Sequence, residues 1–125
     1  MKVLMIDDNE LDLLISRKLI SKQVNSLEFT EYNNATEALQ HLAGQEENDF
    51  DIILLDLNMP EMNGWDFLEE YRKLPVHKAN VYILTSSLDT RDKLRSKEYE
   101  AVKGYFDKPL KSNYIAEIVA FHQIH

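Results

Sequence analysis

The chain has 125 residues, with 22 acidic and 14 basic side chains and a net charge of −8. It contains no cysteine, which excludes disulfides, thiolate metal sites and cysteine catalysis. Its acidic surface repels phosphate backbones and anionic lipid, so direct nucleic-acid binding is not expected.

Aliphatic runs such as IILL at 52–55 are far too short to span a bilayer, so no membrane insertion is expected. Acids from position 7 onward interrupt any secretory leader. The expectation is a cytoplasmic protein with one domain over 1–125 and no output domain.

In chain order, KVLMI (2–6) is an apolar run after Lys2 that two acids end, as in a strand buried on both faces. ELDLLISRKLI (10–20) has helical spacing, with Leu11, Leu14, Ile15 and Leu19 as the expected apolar face. SLEFTEY (26–32) reads as a strand nearer an edge. ATEALQHLAGQ (35–45) is helical, with Asn34 as its N-cap. The acidic stretch QEENDFD (45–51) reads as a solvated loop, and FDIILLD (50–56) as a second fully buried strand. GWDFLEEYRKL (64–74) places Trp65, Leu68 and Tyr71 or Arg72 one turn apart on a helix that Pro75 stops. NVYILTS (80–86) is a third buried strand. TRDKLRSKEY (90–99) is a polar helix held by little more than Leu94. AVKGYF (101–106) is a short strand, and SNYIAEIVAFHQI (112–124) a closing helix with Ile115, Ile118, Val119 and His122 on one face.

Strict βα alternation predicts an α/β fold: a doubly wound, five-stranded parallel sheet with helices on both faces, a three-layer sandwich of flavodoxin-like type. The edge-like second strand and the buried first and third give the order 2-1-3-4-5. In such a sheet, ligands sit beyond the carboxyl ends of the strands where the order reverses, here between strands 1 and 3. Strand 1 ends in Asp7 and Asp8, and strand 3 in Asp56. Each acid has an ordinary explanation. Asp8 or Asn9 can cap the following helix, and Asp56 can shape the turn before Asn58 and Pro60. Their convergence at the switch point argues instead for a site where a hard cation such as Mg²⁺ relieves the repulsion. Strand 4 ends in Thr85, Ser86 and Ser87, and strand 5 leads to Lys108, whose bond to Pro109 is a candidate for a cis peptide. Acids, a hydroxyl and an ammonium at one edge are what phosphoryl transfer requires.

Four motifs together, IDDNE, LLDLNMPEMNG, LTSS and GYFDKP, resemble the receiver domain of two-component response regulators over the whole chain. The resemblance implies that Asp56 is the phosphoacceptor. It implies Asp8, Asp56 and the carbonyl of Asn58 as Mg²⁺ ligands, with Asp7 acting through a metal-bound water. Ser86 matches the switch hydroxyl, Ser87 the small residue after it, Lys108 the lysine that contacts the phosphoryl group, and Tyr105 the aromatic that turns on activation. The expected partners are a sensor histidine kinase or histidine phosphotransfer protein and a downstream effector protein. The expected output surface is the face of the fourth helix, fifth strand and fifth helix.

The implied role is a phosphoacceptor switch rather than a turnover enzyme. One rival is a haloacid-dehalogenase-type phosphohydrolase, but that class needs D-x-D, and Asp56-Leu57-Asn58 lacks the second acid. A flavodoxin-type module needs a phosphate loop where this chain has DDNELD. A pseudo-receiver that works without phosphorylation does not need the full set of acids, hydroxyl and lysine.

Overall fold

The computed structural model describes residues 1–45, 49–75 and 78–124. Strands and helices alternate through them: β1 (Lys2–Ile6), α1 (Glu10–Gln23), β2 (Glu28–Tyr32), α2 (Ala35–Ala43), β3 (Ile52–Leu55), α3 (Gly64–Tyr71), β4 (Asn80–Thr85), α4 (Thr90–Ser96), β5 (Val102–Asp107) and α5 (Ser112–Ile124). The sheet is parallel throughout, in the order β2-β1-β3-β4-β5. This is the doubly wound, flavodoxin-like order that the alternation implies. Of the acidic loop expected at 45–51, residues 46–48 lie outside the described residues.

Side chains of the central strands alternate between two cores. Leu4, Ile6, Ile53, Leu55, Val81 and Ile83 pack with α2 and α3, through Ala35, Ala38, Leu42, Phe67, Leu68 and Tyr71. Val3, Met5, Ile52, Leu54, Tyr82 and Leu84 pack with α1 and α5, through Leu13, Ile20, Ile115 and Ile118. Burial of each such aliphatic side chain contributes roughly 1.5–3 kcal/mol. That packing makes β1, β3 and β4 rigid, and so fixes where their carboxyl ends lie. β2 is the exposed edge, and it starts at Glu28 rather than Ser26 because Ser26 has φ 57°, outside the strand region.

Two expectations about helices fail. The buried face of α1 is Leu13, Ser16 and Ile20, whereas Leu11 and Ile15 are exposed at 62% and 41%. Leu14 is also exposed, and of the expected face only Leu19 packs against a core. Both sets have helical spacing, and a small serine in the true stripe conceals it. α4 is not held by Leu94, which is 64% exposed. Its buried residue is Ser96, whose hydroxyl donates to the Lys93 carbonyl at 2.6 Å. Tyr99, just beyond the helix, stacks on Trp65 at 5.9 Å between centroids, and Arg95 lies 4.5 Å over the Trp65 ring. α4 thus docks through aromatic and cation–π contacts rather than an aliphatic stripe. α3 ends at Tyr71, before Pro75, as its last turn tightens into i→i+3 bonds from Lys73 and Leu74.

Candidate phosphoacceptor site

Backbone bonds carry the sheet past the ends of its strands and hold the acids in place. The Asp7 N–H donates to the Tyr32 carbonyl at 3.1 Å, and the Asp56 N–H to the Ile6 carbonyl at 3.0 Å. On the other side, the Lys108 N–H donates to the Thr85 carbonyl at 2.9 Å, and the Lys108–Pro109 bond is cis. Gly64 closes the loop after Asp56, donating its N–H to the Leu57 carbonyl at 2.9 Å. A Cβ on Gly64 would stand 2.6 Å from the Asp56 carbonyl oxygen, so only glycine lets α3 begin this close to the acid.

The cap of α1 is Asn9. Its side chain accepts from the Leu11 and Asp12 N–H groups at 3.0 and 3.1 Å, which leaves Asp8 exposed and outside the capping bonds. Asp56 meets the turn explanation only weakly, since its Oδ1 accepts from the Asn58 N–H at 3.4 Å. Asp7, Asp8 and Asp56 instead gather: one carboxylate oxygen of each lies within 4.8 Å of the others. Asp7 is fully buried and Asp56 is 4% exposed.

Lys108 stands among these acids. Its Nζ is 2.8 Å from Asp7 Oδ2, 2.8 Å from Asp12 Oδ2 and 3.7 Å from Asp56 Oδ2. The contact with Asp7 is an ion pair without hydrogen-bond geometry, so Asp7 Oδ2 is a buried oxygen that lacks a hydrogen bond among the described residues. Burial pushes the Asp7 carboxyl up, with Lys108 opposing. Burial, and then the charge of Asp7, push Asp56 up to about 6, against the pull of Lys108 and the Asn58 N–H. Burial would lower the Lys108 ammonium, but its close pairing with Asp12 and Asp7 and the charges of Asp7 and Asp56 outweigh that and raise its pKa. Three clustered carboxylates with one buried oxygen lacking a hydrogen bond fit a hard divalent cation.

The remaining residues singled out in the sequence lie along the same edge with less contact. Asn58 is exposed in the loop after Asp56. Ser86 follows β4 with its side chain exposed and makes no hydrogen bond to the clustered acids. Thr85 is fully buried, and its hydroxyl accepts from the Ser87 N–H at 3.2 Å. The Ser87 hydroxyl donates to Asp92 Oδ2 at 2.7 Å, which ties the loop to α4. Tyr105 is half-buried on β5 with a buried hydroxyl that makes no hydrogen bond among the described residues; burial, and then the charge of Asp92, push its pKa up. Asp12 is the contact that sequence reasoning missed. The available signal was its position one turn into a helix that starts at the site.

Known proteins resemble this chain over nearly its whole length. The family model of the response regulator receiver domain matches residues 3–120. The sensor histidine kinase CheAY of Helicobacter pylori is 32% identical over 118 residues, which are 94% of this chain and 14% of the kinase. The chain likewise spans only 16% of the sensory/regulatory protein RpfC of Xanthomonas campestris. The chemotaxis protein CheY-3 of Vibrio cholerae is 28% identical over 117 residues, 94% of this chain and 87% of that protein. The crystal structure of a response regulator receiver protein from Dyadobacter fermentans superposes with a TM-score of 0.85 at 28% identity, covering 98% of both chains. The four strand-end motifs, the sheet order and these matches agree, and this chain belongs to the response regulator receiver domain family of two-component systems.

Proposed function

We propose that this receiver domain accepts a phosphoryl group on Asp56 from the phosphohistidine of a sensor kinase or a phosphotransfer protein, and passes the change to a partner protein. The reading rests chiefly on Asp56 itself, a nucleophile buried at a strand tip, with two acids clustered beside it and an ammonium at 3.7 Å. Relatives that include a sensor histidine kinase support the choice of donor.

A bond forms from an Asp56 carboxylate oxygen to phosphorus as the bond from phosphorus to the donor nitrogen breaks, giving an acyl phosphate and a free imidazole. Asp56 must be ionised to attack, and with a pKa near 6 it is largely so at neutral pH. Asp7, Asp8, Asp56 and the Asn58 carbonyl would hold Mg²⁺, which supplies charge neutralisation at the phosphoryl oxygens. Lys108 neutralises a further oxygen from the other side. The rigid strands keep these groups aligned, so little reorganisation accompanies the transfer.

The new charge then draws the hydroxyl of Ser86 inward. That shift moves the loop whose Ser87–Asp92 bond reaches α4, and it makes room for Tyr105 to turn. The face of α4, β5 and α5 is the two-state element that the switch biases and the partner reads. Intact mass spectrometry after incubation with a small phosphodonor tests the reading. One phosphoryl addition is expected in the presence of Mg²⁺ and none in its absence. An Asp56→Asn variant that still gains the mass would overturn it.

A further inference from the structure

Helices α1 and α3 open with the same pair of residue types at the same spacing: Asn9 with Asp12, and Asn63 with Asp66. In α3 the pair closes a reciprocal capping box. The Asp66 N–H donates to Asn63 Oδ1 at 2.9 Å, and the Asn63 N–H donates to Asp66 Oδ2 at 3.1 Å. In α1 only half of that box forms. The Asp12 N–H donates to Asn9 Oδ1 at 3.1 Å, but the Asn9 N–H turns to Asp7 Oδ1 at 2.9 Å. The Asp12 carboxylate is left free of the cap and accepts from Lys108 Nζ at 2.8 Å. Capping explains Asp66 and does not explain Asp12.

An ammonium has three N–H donors. The bond to Asp12 is the one hydrogen bond that the Lys108 side chain makes among the described residues. Asp7 Oδ2 is equally near but off hydrogen-bond geometry, and Asp56 Oδ2, at 3.7 Å, is beyond hydrogen-bond reach. Asp12 therefore supplies the directional contact that orients an ammonium with spare donors beside the nucleophile. Its place in the first turn of α1 suits this task, because the positive end of the helix favours an ionised carboxylate there. Asp12 lies outside the three acids whose oxygens gather.

We infer that Asp12 is a positioning residue that acts through Lys108, presetting the donors that meet the phosphoryl oxygens on Asp56. The inference deepens the phosphoacceptor reading and rests on it. A donor held in place beforehand loses less freedom when the phosphoryl group arrives. Without Asp12, the four-carbon stem of Lys108 must be ordered in the same step that binds the phosphoryl group.

The test titrates beryllofluoride, a phosphoryl mimic, in the presence of Mg²⁺ into the wild type, Asp12→Asn and Asp12→Ala by calorimetry. Mg²⁺ alone is titrated in parallel. Affinity for the mimic should fall on the order of tenfold in Asp12→Ala, and less in Asp12→Asn, whose amide oxygen still accepts the bond. Affinity for Mg²⁺ should stay within about twofold, since Lys108 and solvent screen Asp12 from the acid cluster. Loss of one negative charge would by itself raise the affinity for an anion in both variants alike. A fall, graded from asparagine to alanine, therefore isolates the hydrogen bond. Mimic affinity unchanged or raised in Asp12→Ala, or Mg²⁺ affinity falling in step with it, overturns the inference while the phosphoacceptor reading stands. Should the alanine variant fail to fold, the isosteric Asp12→Asn decides: a severalfold fall supports the inference, and no change overturns it. A wild type that does not bind the mimic overturns both readings.

Discussion

Replacing Asp56 with asparagine should stabilise the metal-free protein, although it removes the proposed nucleophile. The carboxyl of Asp56 has its pKa raised from 3.8 to about 6, first by burial and then by the charge of Asp7. A shift of about two units corresponds to roughly 3 kcal/mol by which the ionised carboxylate opposes folding. Because the folded-state pKa is the higher one, this cost is fully present above pH 6 and fades as the pH falls from 6 toward 3.8, where the group is protonated in either state. Asparagine is neutral at every pH and does not bear the cost. In a chelator, Asp56→Asn should therefore melt about 10 °C higher than the wild type at pH 8, a shift of the size expected for roughly 3 kcal/mol in a domain of this length. The gap should narrow through pH 5 and close near pH 4. Adding Mg²⁺ at pH 8 should also narrow it, because the cation stabilises the form that carries the ionised acid. Paired thermal melts by circular dichroism give the comparison. A variant no more stable than the wild type at pH 8, or a gain as large at pH 4 as at pH 8, would refute the account of the buried charge.

Asp8 is exposed, so Asp8→Asn should raise metal-free stability by less than Asp56→Asn does, yet clearly reduce the stabilisation gained from Mg²⁺; a melting-temperature titration against Mg²⁺ checks both halves. Gly64→Ala should destabilise by about 2 kcal/mol, because its Cβ meets the Asp56 carbonyl oxygen at 2.6 Å and backbone must move. Urea unfolding measures that loss, and an unchanged midpoint would mean that the loop has room to spare. Ser86→Ala removes an exposed side chain, so stability should change by less than about 0.5 kcal/mol. Its effect should appear in coupling: the ratio of partner affinity with and without beryllofluoride should fall on the order of tenfold, within the usual ~1–3 kcal/mol range for linked sites. An unaltered ratio would remove Ser86 from the switch.

The sheet order was legible in the sequence because the central strands are buried on both faces. Runs such as IILL have no polar alternation to confuse them, and the acids that end them mark the edge that carries the candidate site. Asp7, Asp8, Asp56 and Lys108 could be placed together for that reason, since parallel neighbours bring strand ends into register. Helix faces were less legible. In α1, apolar residues occur at two overlapping helical spacings, and the choice between them falls to the Asn9 cap and the small Ser16, neither of which contributes to a hydrophobic pattern. In α4, the docking contacts are Arg95 over Trp65 and the Trp65–Tyr99 stack, which join residues far apart in sequence and follow no local period. Asp12 escaped notice because its position is that of an ordinary capping acid; only the contrast with Asp66 separates the two.

The identity of the phosphorylated atom can be read directly by chemical trapping. An acyl phosphate is reduced by borohydride to an alcohol, which converts the aspartate that carried it into homoserine, whereas phosphoserine, phosphothreonine and phosphohistidine give no such product. The protein is phosphorylated with a small donor and Mg²⁺, reduced with borodeuteride, digested and sequenced by mass spectrometry. Deuterated homoserine at position 56 alone is the expected result. Label at Asp7 or Asp8, or a phosphorylated protein that yields no homoserine, would contradict the assignment of Asp56 as the phosphoacceptor.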